Sequence, residues 1–220
     1  MSHSLGPVFI VFEGLDGSGK TTCARRVAEA LGAEFMQTPS GLLRRYRDDL
    51  VASFDGCQEA AQHLYQASVF ATSRRVRGLL EQGRSVVLDR YFLSTEAYAA
   101  FRGSSIQHDD QCASLTPAHL TVFLHAPLTV RRARIQSRGM ITDADKETLS
   151  ESADARLRLE HMARAGLPVV GAFLALDTSL FGPNEAADRV TSMCRQLASF
   201  RAHPSELFPL SARGTPAESS

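Results

Sequence analysis

The stretch that most restricts this chain is GLDGSGKT, Gly14 to Thr21. It lies directly after the apolar run VFIVFE (Val8 to Glu13) and runs into KTTCARRVAEALG. There, Ala24, Val27, Ala28 and Leu31 recur at helical spacing and Gly32 offers a stop. A short, nearly continuous apolar run suits a strand buried on both faces of a parallel sheet. The spacing G-x-x-x-x-G-K-[ST], anchored at Gly14 and Gly19, belongs to a loop whose backbone N–H groups turn inward around phosphate oxygens. It places them at the positive end of the following helix. Strand, loop and helix stand in the order this chemistry needs. Gly14, Gly17, Ser18, Gly19, Lys20, Thr21 and Thr22 are therefore the candidate nucleotide contacts. Lys20 is expected to neutralise the β- and γ-phosphates, and Thr21 to hold Mg²⁺.

Strand and helix patterns then alternate. AEFMQTPSG supplies a second strand and a loop, and Leu42 to Leu50 a short arginine-rich helix. CQEAAQHLYQASVFATSRRVRGLLEQG is the longest helical pattern, with Leu64, Ala67, Ser68, Ala71, Val76, Leu79 and Leu80 on its apolar side. SVVLDR, LTVFLHA and VVGAFLAL (Val169 to Leu176) read as further buried strands. Helices fill Leu128 to Ser137, Ser150 to Ala165 and Asn184 to Phe200. This alternation predicts an α/β fold with a doubly wound parallel sheet flanked by helices. A length of 220 residues suits a single domain, expected over residues 1–202, with a flexible Pro-, Ser- and Gly-rich tail over 203–220. The polar segment Gly139 to Glu151 reads as either a surface loop or a mobile cover.

A formal net charge of zero gives no global reason to expect a nucleic-acid or membrane partner. Cys23, Cys57, Cys112 and Cys194 show no CxxC or zinc-type spacing and read as free thiols in a reducing compartment. With no signal-peptide pattern and no apolar run of membrane length, the expected location is the cytoplasm.

Nucleotide binding alone leaves several activities open. Asp89 and Arg90 follow a buried strand: the acid can order a metal or accept a proton, and the arginine can grip an acceptor phosphate. Phosphoryl transfer also needs cations over the transferred group. Leu15, Asp16 and Ser18 in the loop bring no arginine. The helix with Arg131, Arg132, Arg134 and Arg138 is the obvious source, and Arg156 and Arg158 follow the polar segment. No guanine-reading N-K-x-D element is present, which argues against a GTPase switch.

These residues resemble the thymidylate kinase family. FEGLDGSGKTT (Phe12 to Thr22) is similar to the family's opening, and DRYFLSTEAYAA (Asp89 to Ala100) to its second motif. TVFLHAPLTVRRARIQSRG resembles its strand, turn and arginine-bearing helix. The resemblance covers roughly Val8 to Gly139. It implies a P-loop NTPase-type sheet, a short mobile lid at about residues 138–155, ATP and Mg²⁺ as cofactors, a nucleoside monophosphate acceptor, above all dTMP, and a homodimer. By the same resemblance Lys20, Asp16, Asp89, Arg90 and Arg138 are catalytic, and Arg134 joins the ATP contacts. Thr21 and Asp89 serve the metal. Arg44, Phe70, Arg74, Arg90, Ser94 and Tyr98 form the acceptor site, with Phe70 against the base and Arg74 reading it. Three positions depart from the family pattern. Ala99 stands where the family has a base-reading glutamine, QTPSG replaces Glu-Pro-Gly-Gly so that Gln37 stands for a charged residue, and the lid lacks an Asp-Arg-Phe-Glu type run. Two alternatives stay open: a deoxynucleoside kinase using Glu13 as base, and a nucleotide-binding regulatory protein.

Overall fold

The computed structural model of the protein describes residues 6–107, 109–139, 141 and 143–202, and the expected tail lies outside the described residues. The strands are β1 (Phe9–Gly14), β2 (Glu34–Gln37), β3 (Val86–Asp89), β4 (Leu120–His125) and β5 (Ala172–Asp177). The helices are α1 (Lys20–Leu31), α2 (Gly41–Ala52), α3 (Gln58–Glu81), α4 (Phe92–Phe101), α5 (Leu128–Ser137), α6 (Asp143–Thr148), α7 (Glu151–Ala163) and α8 (Pro183–Ala202). Among the described residues, the strands form one five-stranded sheet in the order β2-β3-β1-β4-β5, with every neighbouring pair parallel. Val11 of β1 pairs with Leu88 on one side and Thr121 on the other.

Central position explains the apolar run in β1. Ile10 and Phe12 pack with Val27 of α1 and Val190 of α8. Phe9 and Val11 face the opposite layer, with Val69 and Val76 of α3 and Phe92 of α4. Both faces are covered, so alternation with polar residues is absent. The chain winds to one side of β1 for β2 and β3 and to the other for β4 and β5. Such sheets open a crevice at the carboxyl ends of the strands where winding reverses. The glycine loop emerges there.

Three expectations change in detail. The run VVGAFLAL is not one strand: Pro168–Val170 forms a 3₁₀ turn and β5 starts at Ala172. Gly171 marks the break at φ +65°, where a Cβ would lie 2.0 Å from the Ala118 carbonyl oxygen. On α3, Ala67 and Ala71 are exposed, whereas Gln62, Gln66, Ser68, Thr72 and Ser73 are buried beside Val69, Val76 and Leu79. Hydropathy misplaces the face because α3 meets its neighbours through paired polar groups. Gln62 and Gln66 donate to Glu96 of α4, and Thr116 N donates to Ser73 Oγ at 2.7 Å. The polar segment after Gly139 contains α6, whose Asp145 accepts from Arg138 at 3.3 Å. Among the described residues, no helix is long and apolar enough to cross a membrane.

Candidate active site

β1 ends at Gly14 with φ +130°, against β4, and a Cβ there would sit 2.1 Å from the Leu124 carbonyl oxygen. Only glycine allows this close approach, which sets the direction in which the loop leaves the sheet. The loop borders a cavity of about 410 Å³ lined by Asp16, Gly17, Gly19 to Cys23, Arg90, Arg134, Arg138, Thr178, Phe181, Pro183 and Ala186. Ser18 is buried behind it. Lys20, the first residue of α1, is buried and its Nζ donates to Leu15 O at 2.8 Å. Burial pushes its ammonium down to about 8, with Arg90 adding to the push and Asp16, Asp89 and Glu13 opposing it.

The end of β3 supplies the facing groups. Asp89 Oδ2 accepts from Thr21 Oγ1 at 2.5 Å and from Gln37 Nε2 at 2.7 Å, while its Oδ1 is buried without a hydrogen-bond partner. Arg90, held at φ +70°, pairs with Asp16 and donates to Ser94 Oγ at 3.2 Å. Tyr98 donates to the second Asp16 oxygen at 2.9 Å, and Arg90 lies 5.3 Å over its ring. Burial alone would push the Asp16 carboxyl up. Arg90, Lys20, the Tyr98 hydroxyl and Arg131 outweigh it and hold the group well below the usual carboxylate range.

Glu13 accepts hydrogen bonds at both carboxylate oxygens. One oxygen accepts from the backbone N–H groups of Tyr91 and Ser94 at 2.9 and 3.2 Å, and the other from the Ser94 hydroxyl. These are the first N–H groups around the start of α4, which lack partners inside the helix. Glu13 is buried, and burial raises its pKa against those hydrogen bonds. It anchors the Asp89–Arg90 turn and the start of α4 to the central strand.

The arginines of α5 divide by face. Arg131 is fully buried, donates from Nε to the Asp16 carbonyl at 2.6 Å and pairs with Asp154 of α7. Arg134 donates to Thr178 Oγ1 and O, both at 2.8 Å, and Thr178 Oγ1 donates to Ser18 O at 2.9 Å. Arg132 holds the Leu149 carbonyl, Arg156 the Phe101 carbonyl, and Arg158 the Asp154 carboxylate. Arg138 is about half exposed at the cavity wall.

The structure thus brings these residues together in two bonded sets, Thr21–Asp89–Gln37–Arg44 and Ser94–Arg90–Asp16–Tyr98, with Lys20 held separately by the Leu15 carbonyl. Phe70 and Arg74 lie exposed on α3 and take no part in either set. Thr178 and Asp154 escape the sequence reading, which names Gln37 and Arg131 without the partners they meet here. Thr178 carries one available signal, its place just past a strand's carboxyl end.

His161 of α7 escapes it too. Its ring is fully buried, lies near Tyr98 and Phe123, and its Nδ1–H donates to Leu157 O at 2.7 Å, leaving Nε2 buried without a partner. Burial pushes the imidazole down to about 3, the Leu157 carbonyl opposing and Arg90 and Lys20 reinforcing. The unfolded chain binds this proton below about 6.5 and the folded chain only near 3. The stability contributed is present above the unfolded value and is lost as pH falls through that window, at roughly 1.4 kcal/mol per pH unit. His161→Phe should flatten this acid loss in urea denaturation at pH 7 and pH 5. Equal acid sensitivity of the two proteins would contradict it.

Residues 12–170 match the family model described as thymidylate kinase. The chain is 33% identical over 152 residues to a probable thymidylate kinase of Pyrococcus horikoshii, spanning 63% of this chain and 74% of that protein. It is 33% identical over 158 residues to a probable thymidylate kinase of Thermococcus kodakarensis, spanning 63% and 76%. Among solved structures, thymidylate kinase from Candida albicans superposes with a TM-score of 0.63 at 20% identity, covering 91% of this chain and 95% of the other. That from Ehrlichia chaffeensis gives 0.55 at 19% identity, covering 86% and 99%. At such identities the two superpositions speak for the fold.

Proposed function

Because the chain belongs to the thymidylate kinase family, we propose that it transfers the γ-phosphoryl group of ATP to the phosphate of a nucleoside monophosphate, with dTMP as the principal acceptor. The observation that carries this reading is that the glycine loop, Lys20, Thr21, Asp16 and Arg90 line one cavity, with Asp89 bonded to Thr21 and Tyr98 bonded to Asp16.

The residues fit both cofactors. The loop backbone and Lys20 would receive the donor phosphates, with Arg134 and Thr178 at the cavity wall beyond them. Thr21 Oγ1 and the buried, unpartnered Asp89 Oδ1 are hard oxygen donors of the kind Mg²⁺ takes. Among the described residues, no cluster of three or more His, Cys, Asp or Glu stands ready for a metal. Magnesium sites completed by substrate phosphates use one or two carboxylates. When bound, Mg²⁺ neutralises charge on the phosphates.

Arg90, fixed by Asp16 and Ser94, would hold the acceptor phosphate in line, with Arg44 reaching it from α2. Phe70 would pack on the base, Arg74 would read it, Ser94 and Tyr98 would line the acceptor pocket, and Asp16 would help orient the acceptor phosphate. Closure of residues 138–155 as a lid would bring Arg138 over the transferred group, in a cytoplasmic homodimer. Positioning and charge stabilisation carry such transfers. The acceptor is already ionised, so no general base is required. The satisfied hydrogen bonds of Glu13 weigh against its acting as base on a sugar hydroxyl.

ADP release with ATP and Mg²⁺ tests this, using dTMP, dUMP, dCMP, dGMP, dAMP and UMP beside the matching nucleosides. Turnover of dTMP above the others is expected. Turnover of nucleosides alone, or of no acceptor by folded, ATP-binding protein, would overturn the reading.

A further inference from the structure

Gln37 closes β2, and its carboxamide stands between two functional groups. Nε2 donates to Asp89 Oδ2 at 2.7 Å, and Oε1 accepts from Arg44 of α2. Asp89 Oδ2 also accepts from Thr21 at 2.5 Å. One oxygen of the carboxylate is therefore doubly engaged, and the other, Oδ1, is buried and bare. Only an amide serves both neighbours. A carboxylate at residue 37 would keep an acceptor for Arg44, but it would set a like charge against Asp89 and offer no donor. An apolar side chain would release both. On the far side, α2 has no buried residue, so the Arg44–Gln37 bond is a polar tie from that helix to the sheet.

We propose that Gln37 is a positioning residue for the divalent cation. It turns Asp89 so that Oδ1 faces the cation, keeps the charge there to one carboxylate, and couples Arg44 to the same point. This rests on the reading of Thr21 and Asp89 as cation ligands.

The test is direct binding of Mn²⁺, followed by electron paramagnetic resonance, to the full chain with a non-hydrolysable ATP analogue. Gln37→Glu adds a negative charge beside Asp89 and should tighten Mn²⁺ roughly tenfold. Gln37→Met, of similar length, removes the donor that orients Asp89 and should weaken it by roughly tenfold. Arg44→Met should change Mn²⁺ affinity in the native background and leave it unchanged in Gln37→Met. Because Gln37→Glu also lacks the donor, its tightening reports the added charge, and the positioning role is read from the weakening in Gln37→Met and its coupling to Arg44. Mn²⁺ affinity in Gln37→Met within about twofold of native, or an Arg44→Met effect that persists in Gln37→Met, would overturn the proposal, as would native nucleotide-bound protein that takes up no Mn²⁺. The measurement needs no acceptor, so failure to phosphorylate any monophosphate would sink the proposed reaction and leave this result standing.

Discussion

Lys20→Met is expected to slow phosphoryl transfer by about 10²–10³-fold, and to make the folded protein more stable at neutral pH. The two effects share one cause. Lys20 places an ammonium in a buried position at the start of α1, where its protein acceptor is the Leu15 carbonyl. Burial lowers its pKa from 10.5 to about 8. The unfolded chain therefore holds this proton more tightly than the folded one. Stability rises with pH between the two values, and the full penalty is present below the lower one. That penalty is roughly 3 kcal/mol. Loss of the hydrogen bond to Leu15 returns about 1 kcal/mol, so a net gain of about 1–2 kcal/mol is expected for methionine, which keeps the apolar stem. Urea denaturation at pH 7 and pH 9.5 checks it: the advantage should shrink at the higher pH. Lower stability at pH 7, or a difference independent of pH, would contradict the account. Charge that is unfavourable in the resting fold is what the transferred phosphoryl group requires.

The second large effect lies outside the cavity. Asp154→Ala should destabilise the protein by about 3–5 kcal/mol, because it leaves a buried charge without its counter-charge. The Arg131 guanidinium is fully buried, and Asp154 is its carboxylate partner. Its Nε holds the Asp16 carbonyl, and its Nη2 is buried without a hydrogen-bond partner. Asp154 also accepts from Arg158 at 2.8 Å, but that side chain is partly exposed and keeps access to water. The double variant Arg131→Met, Asp154→Ala removes both charges and should recover most of the loss, giving a coupling energy of about 2–3 kcal/mol. Additive losses would show that the pair is not the unit described. Activity provides a second reading, since releasing Arg131 frees the carbonyl of Asp16, the residue that positions Arg90.

The legible and illegible parts of this molecule divide by distance along the chain. The glycine loop, its strand and its helix were readable because their geometry is made of consecutive residues, and β1 was apolar throughout because it is covered on both faces. Asp89 and Arg90 were readable for the same reason, the first closing a buried strand and the second directly following it. On α5, however, helical spacing separates Arg131, Arg132 and Arg134 without saying which neighbour each meets. Folding gives Arg131 to Asp16 and Asp154, Arg132 to Leu149, and Arg134 to Thr178. Gln37 read as standing where a charged residue is expected, and it proves to be the bridge between Arg44 and Asp89. The apolar period on α3 selected two alanines that face solvent, because the buried face is satisfied by hydrogen bonds to α4.

By itself, the sequence determined the parallel α/β sheet, the phosphate-type loop and the acid–arginine pair. Backbone conformation and burial pattern follow from neighbours a few residues apart, and those are written in order. Only the tertiary structure decided how the charges are shared. It gave Asp16 to Arg90 across 74 residues, Arg131 to the Asp16 carbonyl across 115, and Glu13 to the start of α4 across 81. Electrostatic interaction acts through space and strengthens where water is excluded, so partners are selected by which elements the sheet brings together rather than by their order in the chain.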